Sequence, residues 1–279
     1  AFLTGDVFNL FVFFEILLIA SYSLLIHGGG KQRTQAAVHY VFLNLVGSAF
    51  FLFGLGIIYA TFGTLNLADM AHKAAQLNSE DVALAKAGGL LLLVVFGLKA
   101  ALLPLHFWLP RTYAHTSTPV AALFAIMTKV GIYSIWRVHT AVFGEFGGEL
   151  ANIAISWLWP LALATLVAGI IALLASQTLK MLAANLVVVS AGSLLLTIAL
   201  NTPQATAAGL YYLIHSTLMA AALFLIAGLV HEQRGQAQDR FVRSRPVNQP
   251  ALLGGLFFIA ALALIGMPPL SGFVGKIML

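Results

Sequence analysis

Of 279 residues, 61% are hydrophobic and 8% are charged, against roughly 25% charged in an ordinary soluble domain. A water-facing shell needs far more polar surface than that, so a soluble fold is excluded. The net charge of +5 would suit nucleic acid, but the basic residues fall in short loops between apolar stretches, where they mark topology; nucleic acid is not an expected partner. With no cysteine, disulfides, thiol chemistry and Cys-ligated metals are excluded.

Apolar stretches of about 20 residues recur along the chain, the length a helix needs to cross the hydrocarbon core. Lipid offers no partner to exposed backbone groups, and the short alternating segments of a membrane barrel are missing. The expected fold is therefore all-α, a polytopic transmembrane helical bundle forming a single domain over residues 1–279. In chain order the spans are 2–26, 35–60, 82–112, 118–140, 157–175, 181–200, 205–230 and 250–279, eight in all. Between the second and third, Leu65–Asn78 is too polar to span and suits a short amphipathic helix at the membrane surface. The chain starts without Met at an apolar span and stops three residues after Lys276. It therefore reads as the middle of a longer protein.

The third span contains GLKAALLPLHFWLP, with Pro104 after Lys99, and the last contains GMPPLSGFVGK, with Pro268 and Pro269 before Lys276. Proline removes a backbone donor and clashes with the preceding turn, so both spans are expected to break there. Two broken spans at separate places, each with one lysine, point to two structural repeats. The loops give an orientation. Lys31, Arg33, Arg111, Lys180, Arg234, Arg240, Arg243 and Arg245 fall on one side; Lys73, Lys86 and Arg137 fall on the other with Asp69, Glu80, Asp81, Glu145 and Glu149. Eight basic residues against three place the first group in the cytoplasm, and the alternation holds only if every span crosses once.

Four ionisable residues lie within spans: Glu15, Lys99, Lys129 and Lys276. Each charge at a helix centre costs about 2.5–3.5 kcal/mol on insertion scales. A structural ion pair, or a lysine snorkelling to the interface, is the plain alternative. Snorkelling suits Lys276 best, whereas Lys99 and Lys129 lie near the middle of their spans. A buried lysine whose carboxylate partner approaches or withdraws can take up and release a proton. Glu15 is the acidic residue deep in a span, hence the natural partner, although spacing across helices does not say whether it faces Lys99. His215 and His39 also lie within spans and can relay protons, with a backbone-satisfied imidazole as the alternative for His39. His106 follows the Pro104 break; His27, His72, His115 and His231 read as loop residues. No His or carboxylate pair has metal-ligand spacing on a helix face, so no metal site is expected. Gly28–Gly30 lacks the lysine and hydroxyl residue of a phosphate loop and reads as a turn.

GDVFNLFVFFEILLIASYSLL, GLKAALLPLHFWLPRTYAHTSTPVAALFAIMTKVGIYSIWRV, YYLIHSTLMAAALFLIAG and GMPPLSGFVGK resemble the antiporter-like membrane subunits. That superfamily is shared by Mrp-type sodium/proton antiporters and the proton-pumping arm of respiratory complex I. Within it the chain is most similar to the D-type Mrp subunits. Complex I subunits of the L and M kinds tend to have His where Lys129 stands and often a lysine near Met219, and the M kind has a glutamate where Lys276 stands. The N kind shares the lysine pattern. The resemblance implies an inverted-repeat fold, in which this chain corresponds to the fifth to twelfth of about fourteen helices. It further implies a Glu15–Lys99 pair, Lys129 as a connecting lysine, Lys276 as a terminal lysine and His215 on the central polar axis.

The function expected from these residues and this resemblance is that of a proton-translocating subunit in a multi-subunit cation/proton antiporter of the bacterial plasma membrane. Its partners would be other subunits, the lipid bilayer, protons and sodium. No cofactor is expected, and no enzymatic reaction. Sodium wants several oxygen ligands, and no such cluster is visible in the sequence. The rival is a pump subunit of NADH:quinone oxidoreductase or a membrane hydrogenase; a passive assembly scaffold leaves the buried charges without a task.

Overall fold

The computed structural model describes residues 1–278. Among them are twelve α-helices: α1 (Val7–Ile26), α2 (Lys31–Phe62), α3 (Leu67–Ala74), α4 (Ser79–Ala100), α5 (Trp108–His115), α6 (Thr118–Phe124), α7 (Met127–Ala141), α8 (Ile155–Leu174), α9 (Leu179–Leu200), α10 (Pro203–Gln233), α11 (Pro250–Ile265) and α12 (Ser271–Met278). Seven spans are long and apolar enough to cross a membrane, with α6 and α7 together forming one of them, and the 16-residue α11 is a shorter apolar helix. These seven correspond to the first seven expected spans, and the expected 250–279 falls on α11 and α12, with residue 279 outside the described part. The chain is a multi-pass membrane protein.

Side chains satisfy the first free N–H groups where helices begin. Asp6 Oδ1 accepts from Asn9 N at 2.9 Å, Thr178 Oγ1 from Met181 N at 3.1 Å and Thr202 Oγ1 from Ala205 N at 3.1 Å, the last with Pro203 in the first turn. α3 is amphipathic as expected. Leu67, Met70 and Ala74 are buried on one face, while Asp69 and Lys73, one turn apart, pair at 3.0 Å on the other.

Helix ends sort onto two sides as the charges require. On the basic side, Arg33 Nε donates to His115 O at 3.1 Å, and Thr178 bridges Arg240. On the other, Asp6 bridges Asn66, and Asn201 Nδ2 donates to Asn152 Oδ1 at 3.3 Å. α4 therefore enters from the side of α3, and α11 from the opposite side. The two longest helices each pack against both halves of a broken span, α2 on α4 and α5, α10 on α11 and α12. These are two inverted copies of one motif.

The outward faces are apolar. Ile16 and Ile19 on α1, Val167, Ile171 and Leu174 on α8, and Phe258 and Ile259 on α11 are all exposed, which in water would be a gross defect and in lipid is the expected surface. The interior divides into two apolar clusters. One gathers Phe14, Phe51, Phe96, Val130, Ala191 and Leu213; the other, toward the basic side, gathers Leu18, Tyr40, Leu98, Phe124, Val188 and Ala220.

Candidate functional site

The seam between those clusters is polar. On α1, Glu15 lies between Phe14 and Leu18; on α2, Asn44 and Ser48 lie between Tyr40 and Phe51; on α4, Lys99 lies beside Phe96 and Leu98. On α7, Lys129 lies between Phe124 and Val130; on α9, Ser190 between Val188 and Ala191; on α10, His215 and Ser216 between Leu213 and Ala220. Six helices thus place polar side chains at one depth, sandwiched between two hydrophobic layers.

The structure brings Glu15 and Lys99 onto one face of α2 but not into a direct ion pair. Ser48 Oγ donates a short hydrogen bond to Glu15, and Lys99 Nζ donates to Asn44 Oδ1 at 2.9 Å. Asn44 and Ser48 are four residues apart on α2 and so occupy adjacent turns of the same face. Their role was not apparent from the sequence, because Asn and Ser are unremarkable inside a helix until a charge is found beside them. Lys99 also lies 5.8 Å from the centre of the Phe14 ring, within cation–π range. A cavity of about 20 Å³ touches Lys99, Asn44, Tyr40 and Trp108, room for one water molecule. Trp108 also lines a vestibule of about 760 Å³ on the basic side with Gln35, His39, Arg111 and His115. The aromatic pair Tyr40–Trp108, with ring centroids 5.2 Å apart, stands between vestibule and lysine.

Lys129 is fully buried, and its Nζ donates to Ser190 Oγ at 2.6 Å. No carboxylate pairs with it among the described residues. α7 reaches this position through an interruption at Ala125–Ile126, two residues that break the helix between α6 and α7. No proline or glycine announces it. Two residues beyond Lys129, a Cβ on Gly131 would lie 2.7 Å from Ala100 N and 2.9 Å from Lys99 C. Glycine alone allows α7 to touch the backbone of α4 beside its lysine.

Pro104 falls within the break at 101–107 and Pro268 and Pro269 within that at 266–270, as expected. His215 spans the second break: Nε2 faces Ala263 O at 3.2 Å and Nδ1 faces Ser271 Oγ at 3.0 Å. A carbonyl oxygen can only accept, so in the neutral ring Nε2 carries the hydrogen and Nδ1 accepts from Ser271. Lys276, on α12, is exposed and is not enclosed by the described residues. Its stem lies over Gly266, where a Cβ would come within 2.8 Å of Lys276 Cδ.

The remaining histidines divide differently from the expectation. His39 is exposed on α2 and lines the vestibule, because its turn of α2 faces outward. His115 closes α5 with Nδ1 on Arg111 O at 2.8 Å. His231 lies in the last turn of α10, not in a loop, and its Nδ1 contacts Asp239 Oδ1 at 3.0 Å. His139, overlooked in the sequence, is buried in α7 with both ring nitrogens unpartnered among the described residues. It is flanked by Val138 and Thr140, which hid it at the end of an apolar span.

Residues 4–279 match the family model described as "NADH:quinone oxidoreductase/Mrp antiporter, TM". The chain is 43% identical over 294 aligned residues to the D-type subunit of a probable K(+)/H(+) antiporter of Rhizobium meliloti, covering 99% of this chain and 54% of that protein. It is 42% identical to the D-type subunit of the Na(+)/H(+) antiporter of Bacillus subtilis, covering 99% and 55%. The chain therefore spans about half the length of the curated relatives it matches. Among solved structures, a chain of the Mrp complex from Dietzia sp. superposes with a TM-score of 0.87 at 32% identity, covering 99% of this chain and 51% of that one. A chain of respiratory complex I from Thermus thermophilus superposes with a TM-score of 0.84 at 30% identity, covering 99% and 57%. The antiporter-like fold, the inverted motifs and the sequence together settle the family: the chain belongs to the NADH:quinone oxidoreductase/Mrp antiporter transmembrane family.

Proposed function

We propose that this chain is the proton-translocating part of a subunit in a multi-subunit antiporter that exchanges a monovalent cation for protons. The observation that carries the reading is the polar seam. Lys99 and Lys129 are buried at one depth and docked on neutral groups, Asn44 Oδ1 and Ser190 Oγ. A carboxylate would lock a lysine in its charged form. At Lys129 the Ser190 hydroxyl accepts from the ammonium and can donate to the neutral amine, so both protonation states find a partner; at Lys99 the Asn44 amide oxygen accepts only. Glu15, one turn of α2 from Lys99, supplies the negative charge whose approach or withdrawal biases that lysine. The path runs from the basic-side vestibule past Trp108 to Lys99, across to Lys129, and on to His215 and Lys276. Sodium or potassium is the exchanged ion by likeness to the named relatives, and its path lies with other subunits of the complex.

The test is cation-induced dissipation of a pH gradient in everted vesicles, with the complete operon expressed in antiporter-deficient cells. Wild type should respond to sodium or potassium, and Lys99→Ala should lose the response by about 100-fold or more while assembling normally. The likeness to complex I and to an archaeal sulfane sulfur reductase complex, with a TM-score of 0.89 at 26% identity, favours a second reading as a redox-driven pump subunit. If cations do nothing in wild type and an electron donor builds the gradient, the antiporter reading is wrong and the pump reading takes its place.

A further inference from the structure

The interruption at Ala125–Ile126 has neither proline nor glycine to cause it, and the backbone groups it frees need partners. Lys129 N turns to Ile126 O at 3.0 Å, and Ala125 O accepts from Thr128 Oγ1 at 3.4 Å. In a continuous helix Phe124 O would accept from Thr128 N. Among the described residues no backbone N–H reaches it. Its partner is the phenol of Tyr113 on α5, which donates to Phe124 O at 2.7 Å. Tyr113 is fully buried, and its ring is held against Phe124 and Phe224, with centroids 5.8 Å and 6.1 Å away. The two pieces that meet at the interruption dock on different helices. α6 lies on α10, where a Cβ on Gly228 would run into the Thr118 side chain, and α7 lies on α4 at Gly131. A second donor on α5, Trp108 Nε1, binds Leu98 O, but that carbonyl also accepts from Ala101 N at 3.2 Å. Phe124 O has the phenol alone among the described residues.

We propose that Tyr113 is a positioning residue for Lys129: its hydroxyl takes the place of the Thr128 N–H, holds the interruption between α6 and α7, and so fixes the turn from which Lys129 Nζ reaches Ser190. The inference rests on the proton-transfer reading above and adds to it a group that touches neither lysine. Without the hydroxyl, Phe124 O is buried with no partner, a costly state for a backbone carbonyl. The remedy within reach is the ordinary helical bond from Thr128 N. That bond joins α6 to α7 and turns the start of α7 about its axis. Lys129 lies in that first turn, so its amine leaves Ser190 Oγ, the partner it has at 2.6 Å. Tyr113 acts through the backbone, and no proton passes through it.

The test measures proton flux against pH in everted vesicles containing the full multi-subunit complex, with assembly followed by native gel. Wild type, Tyr113→Phe, Ser190→Ala, the double variant and Lys129→Ala are compared. Tyr113→Phe keeps the ring and its packing, removes the hydroxyl, and should slow flux about tenfold, a conservative share of what a positioned acid–base group supplies. In the Ser190→Ala background the same substitution should change flux by less than about twofold, because the contact it misplaces is already gone. The pH midpoint of flux should move in Tyr113→Phe as it moves in Ser190→Ala, since both deprive Lys129 of its hydroxyl partner. A packing defect takes the same factor from both backgrounds and leaves the midpoint in place. If Ser190→Ala is too slow to compare, the midpoint of Tyr113→Phe decides alone. Should Tyr113→Phe fail to assemble, Phe224→Leu, which frees the Tyr113 ring and keeps an apolar side chain on α10, is read by the same two measures. Wild-type flux in Tyr113→Phe, an equal loss in both backgrounds, or an unmoved midpoint overturns the positioning role and leaves the proton-transfer reading standing. Full flux in Lys129→Ala overturns that reading at Lys129 and the inference with it.

Discussion

Around α2 the broken span is α4–α5, and around α10 it is α11–α12. In each, a left-handed residue stops the first half, Ala101 at φ 57° in one and Gly266 at φ 83° in the other. The groups that hold the freed backbone differ. At the first break, Trp108 Nε1 donates to Leu98 O at 3.1 Å, and Leu103 N donates to Thr165 Oγ1 at 2.9 Å. Neither an indole nor a threonine titrates in the biological range. His106 lies inside this break, yet its Nδ1 has no partner among the described residues. At the second break the corresponding carbonyl, Ala263 O, is held by an imidazole, and Ser271 O accepts from Tyr211 at 3.1 Å. One motif is braced by groups of fixed charge state. The other is braced by a group that changes its donor pattern with each proton, so a proton arriving there alters the brace itself.

The largest effect should come from exchanging these braces. On the proposed proton path, His215→Ala removes the imidazole at the second break and should reduce proton flux by about tenfold to 100-fold, whereas Trp108→Phe should leave flux within a few-fold and cost about 0.5–1.5 kcal/mol, a single hydrogen bond. Vesicle flux and thermal melts of the purified complex read the two quantities; a silent Trp108→Phe beside an active His215→Ala would invert the contrast. Intermediate effects belong to the left-handed stops. Gly266→Ala places a Cβ 2.8 Å from Lys276 Cδ and 3.1 Å from Gly272 O, and adds left-handed strain of about 1–2 kcal/mol. Melting should fall accordingly, while Ala101→Gly, which relieves the same strain, should change it by less than about 1 kcal/mol.

The smallest effect concerns the loop that leads into the second broken span. There Asp239 accepts from Lys180 N at 2.8 Å and contacts His231. Burial alone would raise its carboxyl, but these hydrogen bonds, its own backbone and the Lys180 charge outweigh burial and hold it below the ordinary carboxylate range. A group with a depressed folded value stabilises above its unfolded value of about 3.9 and loses that contribution as pH falls through the folded one. Limited proteolysis of the 234–245 loop should therefore accelerate below about pH 4 in the wild type and show no such step in Asp239→Asn. An unchanged wild-type profile would sever the loop from the second motif.

Much of this was legible in the sequence, and for identifiable reasons. Spans are written in runs of apolar residues, and both breaks are written in prolines, whose effect on a helix is local. The amphipathic α3 shows its polar face in Asp69 and Lys73. What stayed hidden depends on contacts between helices. Glu15 and Lys99 bind adjacent turns of α2 instead of each other, and nothing in either local sequence points to Asn44 or Ser48. The interruption at Ala125–Ile126 lacks any helix-breaking residue. The depth of Lys276, for which snorkelling was the best-suited alternative, is not readable from its apolar neighbours, because such neighbours in a membrane protein face lipid as readily as protein. His139 was missed because one polar residue near a span's end looks like its boundary, until both nitrogens prove enclosed.

Gly131 has a mechanical consequence. Because α7 rests there directly on the Lys99–Ala100 backbone, the end of α4 cannot slide or roll without pushing the turn that holds Lys129. The two lysines therefore sit on helices that share a backbone contact. A methyl group at position 131 would have to push α7 off the Lys99–Ala100 backbone, so Gly131→Ala would displace the turn that holds Lys129 relative to the end of α4 that holds Lys99.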